Sequence, residues 1–307
     1  MPHHWPQLAW SDWSDTGETL HMWTQVVGKI RMAKSHPINH WWHVPLYVTA
    51  RGLGTSPIPD GPRMFEIDFD FVDHALRVNT TDGDVLEFEL RPMTVAEFYG
   101  RVMSALEELH IDVSFTSTPS EVADPVPFEK DKQHAAYDPL AVTRFWQILF
   151  AAADVLTEFR SQFAGKASPV HFFWGGFDLA VSLFSGRNAP PHPGAPGLPI
   201  GMIREAYSHE CASAGFWPGG PTSDATFFAY TYPEPPGYAE APLALKEAFY
   251  SKDLHEFLLP YDAMRTSESP DAALMSFLRS TYEAGSSRGN WPDLRWNPAS
   301  PSLLRRG

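Results

Sequence analysis

Between residues 65 and 71 four large apolar side chains, Phe65, Ile67, Phe69 and Phe71, alternate with three carboxylates, Glu66, Asp68 and Asp70. A period of two marks a strand with one dry and one wet face; a helix would scatter the four rings around its circumference. Asp73-His74 then supplies a tight turn, residues 75–80 a second strand and Asp82-Gly83 a hairpin. Leu86, Phe88 and Leu90 against Glu87 and Glu89 make a third strand. Antiparallel sheets with one solvated face read this way, and their dry face needs a cover. Residues 14–34 offer one, since Leu20, Trp23, Val26, Val27 and Ile30 recur at helical spacing. Ser14 or Asp15 is the expected cap, and His36-Pro37 the stop. Thr94, with Glu97 three residues on, opens a second helix to about Leu109. Residues 43–51 read as a strand with Tyr47, Thr49 and Arg51 on its polar face, and 112–116 as another.

The second half repeats this order loosely. Asp138-Pro139 opens a long helix to about Phe163. Strands at 170–174 and 177–184 flank Gly175-Gly176. A Pro/Gly loop fills 186–201, strands follow at 207–212, 226–232 and 256–261, and a helix covers 271–283. The expected fold class is α+β, with antiparallel sheets packed by helices in two loosely duplicated α+β halves, 1–116 and 139–285. A Pro- and acid-rich connection, 117–138, joins them. Residues 286–307 form a loose C-terminal tail, with Trp291 and Trp296 as anchors that could dock it.

Charge and composition narrow the partners. Asp and Glu total 37 against 23 Lys and Arg, a net charge of −14. Such a chain repels phosphate backbones and anionic membranes, so neither nucleic acid nor a membrane is expected as partner. The same charge suits simple solubility. One cysteine, Cys211, excludes an intrachain disulfide and a thiolate metal cluster. The first ten residues lack a basic start and an apolar run, no stretch reads as a membrane span, and the cytoplasm is the expected location.

Five segments carry a likeness to known proteins: HMWTQVVGKIR at 21–31, HWWHVPLYVTARG at 40–52, FEIDFDFVDH at 65–74, the stretch beginning PVHFFWGGFDLAV at 169–186, and YSHECASAGFWPG at 207–219. With them the chain resembles a bacterial family known only as a domain of unknown function, from Trp5 to about Glu283. The resemblance implies no activity, substrate or catalytic residue.

Candidate chemistry therefore comes from the residues themselves. P-loop and strand-borne GxGxxG signatures are missing. His171, Asp178, His209 and Glu210 are the candidate catalytic groups, as general acids and bases. His171 and His209, joined by a carboxylate, could instead hold a divalent metal as a two-histidine, one-carboxylate site. Glycines 175 and 176 allow a ligand close to the backbone, or simply make room for Trp174 or Trp217. Glu66 and Asp68 form either a solvated sheet face or, with Tyr47 and Arg51, a half-buried pocket. His40 and His43 either pack among Trp41 and Trp42 or face a ligand. His21 and Gln25 share a helix face. Trp174, Tyr207 and Trp217 complete the expected ligand-binding set. These residues point to an enzyme acting on a small organic molecule, metal-dependent or not. A non-catalytic binding protein or an interaction module is the alternative. Cofactor and oligomeric state stay open.

Overall fold

The computed structural model describes residues 3–195 and 197–294. Its first half runs α1 (Ser14–Lys34), β1 (Tyr47–Val48), β2 (Gly52–Gly54), β3 (Ile58–Asp60), β4 (Arg63–Asp70), β5 (Ala75–Thr80), β6 (Val85–Glu89) and α2 (Val95–Glu108). The second runs α3 (Pro139–Ser161), β7 (His171–Phe173), β8 (Asp178–Asn188), α4 (Ile200–Ala206), β9 (His209–Gly220), β10 (Ser223–Tyr232), β11 (Phe249–Ser251), β12 (Glu256–Pro260), α5 (Tyr261–Arg265) and α6 (Pro270–Arg288). The class is α+β, as expected.

Each half carries one six-stranded sheet. The first sheet is β1-β2-β4-β5-β6, with β3 also paired to β4; the second is β11-β12-β10-β9-β8-β7. Both sheets are antiparallel; in the second, β7 to β10 follow in chain order and β12 lies between β10 and β11. The two inner edges meet, because Leu46 and Phe172 exchange both backbone hydrogen bonds, at 2.9 and 2.8 Å. Paired residues project to one side, so the helices of both halves cover the same side of the combined sheet. In the first half Trp23 stacks on Phe98 at 4.7 Å, and Phe98 on Phe69 at 6.0 Å. In the second, Phe145 of α3 meets Phe172 at 6.3 Å and Phe177 at 5.3 Å. Each such ring, fully buried, contributes roughly 1.5–3 kcal/mol through lost contact with water. The opposite, open side carries the functional candidates.

Local expectations hold where a cap or a period dictates structure. Thr94 accepts the Glu97 amide, and the Asp138 side chain accepts the Leu140 amide. Helix α1 begins at Ser14 with no side-chain cap. Instead the Thr16 and Thr19 hydroxyls accept the amides of Asp138 and Ala136, docking its first turns on the 117–138 connection. The strand expected at 43–51 shrinks to β1, preceded by a 3-10 turn at Asn39–Trp41 in which His40 has φ 58°. Residues 112–116 are not a strand. The strand expected at 207–212 starts at His209 and runs on to Gly220, through Gly215 and Pro218. Helix α3 is long and apolar enough to cross a membrane by length and composition, against the earlier expectation, yet half of its apolar window lies inside the core. Helix α6 persists to Arg288, so the tail begins later than 286. Trp291 stacks edge-on against Tyr282 at 6.1 Å, whereas Trp296 lies outside the described residues.

A carboxyl-lined cleft as candidate functional site

Alternation on the second sheet sends Leu179, Val181 and Leu183 toward the helices and leaves Asp178, Ala180, Ser182 and Phe184 on the open side. Register carries the same side across the sheet. Ser182 pairs with Ser213 and Ser213 with Tyr230; Ala180 pairs with Gly215, and Gly215 with Phe228. Gly215 is needed here, because a Cβ would stand 2.0 Å from the Leu179 carbonyl oxygen and 2.6 Å from the Phe228 ring. Without it the ring could not lie down as a floor.

A roof forms from the connection between β8 and β9. Tyr207 hydrogen-bonds Tyr230 through their hydroxyls at 2.7 Å, and the Tyr232 hydroxyl donates to the Pro190 carbonyl at 2.9 Å. The His192 ring sits 4.8 Å from both Tyr207 and Tyr232. On this open side Asp178, Trp217, Phe228, Tyr230 and Glu256 are half-buried. Burial holds the Tyr207 and Tyr230 hydroxyls well above the usual tyrosine range. Burial also raises the Cys211 thiol to about 12, so it is an inert group rather than a nucleophile.

The polar end of the cleft is built on Gly175-Gly176, the turn between β7 and β8. A Cβ on Gly175 would lie 2.0 Å from Glu121 Oε1, and one on Gly176 2.6 Å from Asp178 Oδ1. Two carboxyl groups from distant segments thus converge on adjacent glycines. Glu121 is aimed by its left-handed backbone, φ 58°, and by the residue before it. The Gln25 amide clamps Ser120 with two hydrogen bonds, taking the Ser120 N–H at 2.7 Å and donating to its carbonyl at 2.8 Å; Lys29 Nζ donates to the Ser120 hydroxyl at 3.1 Å. His21 Nε2 donates to the Gly175 carbonyl at 2.9 Å and pins the turn from the helix side. Burial keeps that ring neutral, its pKa lowered to about 4.

Among the described residues no side chain donates a hydrogen bond or forms an ion pair with Asp178, Glu121 or Glu256. Burial, then the nearby charges of Glu121 and Glu256, push the Asp178 carboxyl well above the carboxylate range. Burial alone raises Glu121, and raises Glu256 to about 7. Of these acids Glu256, held near 7, is the one placed to take up and release a proton close to neutrality.

Other candidates sit elsewhere. His171 is fully buried among Trp42, Tyr47 and Phe173. Its Nδ1 has no partner, its Nε2 only the Tyr47 hydroxyl at 3.5 Å, and burial with the Arg31 and Arg160 charges lowers its pKa to about 3. That makes it a neutral packing group and a poor proton carrier. His209 lies at the other end of β8, opposite Asn188 while His171 is opposite Ala180. The rings of Trp42 and His40 stand between the two histidines. Two nitrogens on one ion lie within about 4 Å of each other, so the expected shared metal site does not form. Among the described residues no group of three metal-ligating side chains converges. Glu210 projects to the opposite side from Cys211 and is held by Ser185 and Arg187 at 2.8 Å each, a structural ion pair rather than a catalytic acid. His43 hydrogen-bonds the Ile38 amide and stacks on Trp41.

The expected pocket of Glu66, Asp68, Tyr47 and Arg51 is divided. Arg51 and Arg77 bind Asp70 and Asp73 in a surface network. Asp68 takes the Asn79 amide at 3.2 Å, and burial together with Glu66 raises it to about 6. Tyr47 turns instead to His171 and lies under the Arg31 guanidinium at 5.3 Å. Trp174 is structural: its indole lies on Gly28 of α1 and donates to the Val44 carbonyl at 2.8 Å. Only Asp178, Tyr207 and Trp217 of the expected set line the cleft directly; His21 supports it from behind. Glu121 and Glu256 went unnoticed, the first inside an acid-rich connection with no period, the second at the start of a short strand.

The fold is α+β, two antiparallel sheets packed by helices, with half-buried carboxyl and aromatic side chains on the open side of the second sheet. The chain belongs to DUF5996, a family of unknown function whose model matches residues 5–297. No curated protein and no solved structure matches it.

Proposed function

We propose that the cleft over the second sheet binds a small organic molecule and that the protein acts on it as an enzyme, by proton transfer through Asp178 and Glu121. One observation carries the reading: two carboxyl groups without partners are brought together over Gly175-Gly176 by a glycine pair and an amide clamp that have no other evident purpose. When one is ionised its charge keeps the other protonated, so an acid and a base stand side by side. Glu256, poised near 7, is a third proton carrier at the same cleft. Trp217, Phe228 and Tyr230 offer flat apolar surface, and the tyrosine hydroxyls offer hydrogen bonds. With three acids that form no ion pair among the described residues, neutral or cationic molecules are favoured over anions.

The test is a ligand-observed NMR screen of small neutral, cationic and anionic molecules, followed by mass analysis of each binder after prolonged incubation. Binders are expected to be lost in Trp217→Ala and chemically changed by the wild type but not by Asp178→Asn. Binding without turnover would make the cleft a receptor. Binders indifferent to Trp217, Tyr207 and Asp178 would refute the site.

A further inference from the structure

At the far end of β8 from Asp178, Asn188 and the Pro190-Pro191 pair face Arg204, Ser208 and His209 across an open hollow of about 400 Å3. We infer that this hollow is a binding site for an oxyanion, the carboxylate or phosphate group of a small molecule. The inference is independent of the acid–base cleft.

The hollow presents donors that lack acceptors. Arg204 Nε reaches the His192 carbonyl only at 3.4 Å, and its terminal nitrogens have no protein partner among the described residues. The Asn188 side-chain amide likewise has none. His209 Nδ1 lies 3.0 Å from the Ser208 hydroxyl. When that hydroxyl donates, the imidazole proton sits on Nε2, which has no protein partner. A guanidinium fork, an imidazole N–H and an amide around one hollow match the oxygens of a carboxylate or phosphate.

The neighbouring acids are turned away. Glu205, next to Arg204, accepts the His40 backbone N–H at 2.8 Å; Glu210, next to His209, is engaged by Arg187 at 2.7 Å. In a chain of net charge −14, no carboxylate lines this hollow. A further cation stands behind it. Lys166 Nζ donates to His40 Nε2 at 3.0 Å and lies over the rings of Trp42 and Phe184 at 5.1 and 5.2 Å, without a carboxylate partner. Because Lys166 only donates, His40 is neutral and gives its Nδ1 proton to the Ala206 carbonyl at 2.8 Å. Its ring meets His209 edge-on at 5.4 Å. The prolines have no N–H and form the apolar wall, on which the carbon skeleton of a ligand would rest.

Side-chain NMR signals of His209 and Arg204 are followed while inorganic phosphate and, separately, acetate are added at ionic strength held constant with chloride. Saturable shifts are expected with at least one anion, and the stronger of the two identifies the group carried by the natural ligand. Arg204→Ala should weaken binding about tenfold or more, the loss of a charge-assisted bidentate contact, and Asn188→Ala by about threefold. Arg101→Ala, which removes an exposed arginine paired with Glu97 on α2, should change nothing. No saturable shift with either anion, or a shift that survives Arg204→Ala unchanged, would overturn the assignment.

Discussion

Two glycines separate what stabilises the fold from what shapes the site. A Cβ on Gly28 would lie 2.3 Å from the Trp174 indole, which is buried and hydrogen-bonded and has nowhere to go. Gly28→Ala should therefore destabilise by about 3 kcal/mol, read from urea unfolding. At Gly175 the Cβ would meet only the tip of Glu121, a side chain able to swing aside. Gly175→Ala should cost less than about 1 kcal/mol while removing Glu121 from the cleft and abolishing any turnover there. Glu256 gives a pH signature. Its folded pKa, near 7, exceeds the ordinary value of 4.5 because burial disfavours the charge. Below pH 4.5 the acid is neutral in both states and costs nothing; above 7 it is ionised in both, and only the folded state loses solvation. Glu256→Gln should thus be more stable than wild type by about 1–2 kcal/mol at pH 8, allowing for its remaining contact with water, with the gap closing by pH 4. Thermal midpoints across that range would reveal it; a pH-independent difference would contradict the assigned environment.

Elements whose existence follows from a period or a cap were readable in advance, and those held by tertiary contacts were not. The hairpins of β4, β5 and β6 show a strict alternation, and α2 and α3 start at side-chain caps, so local chemistry decides them. Strand β9 defeats the same logic. Cys-Ala-Ser-Ala-Gly-Phe-Trp-Pro-Gly-Gly, residues 211–220, has no alternation and only Phe216 and Trp217 as strand formers, yet it is central, with β8 and β10 on either side supplying the ladder. The glycine that breaks its pattern is the one that makes room for Phe228. His171 was legible as an unusual residue but not as a buried one, because burial depends on Trp42 and Tyr47 arriving from the other half. The 117–138 connection is the plainest failure. Its proline and acid content suggests a linker, whereas Phe128 is fully buried, Asp131 organises the turn at 131–134, and Ser120 is clamped by α1. Gln25→Ala should release that clamp. The Ser120 amide is then expected to exchange with deuterium at least tenfold faster, with protection in α1 retained. Equal acceleration throughout α1 would mean that Gln25 serves the helix rather than the connection.

At the scale of the whole chain the question is whether the two sheet-bearing halves behave as two folding units. The seam argues otherwise. Leu46 and Phe172 are both fully buried where the inner strands pair, and the contacts around them cross between halves in both directions. Trp174 donates to Val44, Trp146 to the Thr49 carbonyl, and Trp13 packs on Phe145 with ring centres 5.0 Å apart. His21 stacks on Phe177 at 4.9 Å, and the N-terminal Trp5 hydrogen-bonds Asp271 of α6 at 2.7 Å. Severing the halves would expose the inner edge of each sheet and the aromatic seam together, two hazards that isolated domains avoid. Tryptophan fluorescence, which samples the seam, and far-ultraviolet circular dichroism, which samples all elements, should therefore trace one coincident transition in urea. Residues 1–116 expressed alone should fail to give a protease-resistant core, since they retain α1 and α2 but lose the partners of Leu46, Trp13 and Gln25. Two separated transitions, or a stable first-half fragment, would show that the strand bridge merely joins domains already complete, and the cleft would then need only the second half and the Ser120–Glu121 segment laid upon it.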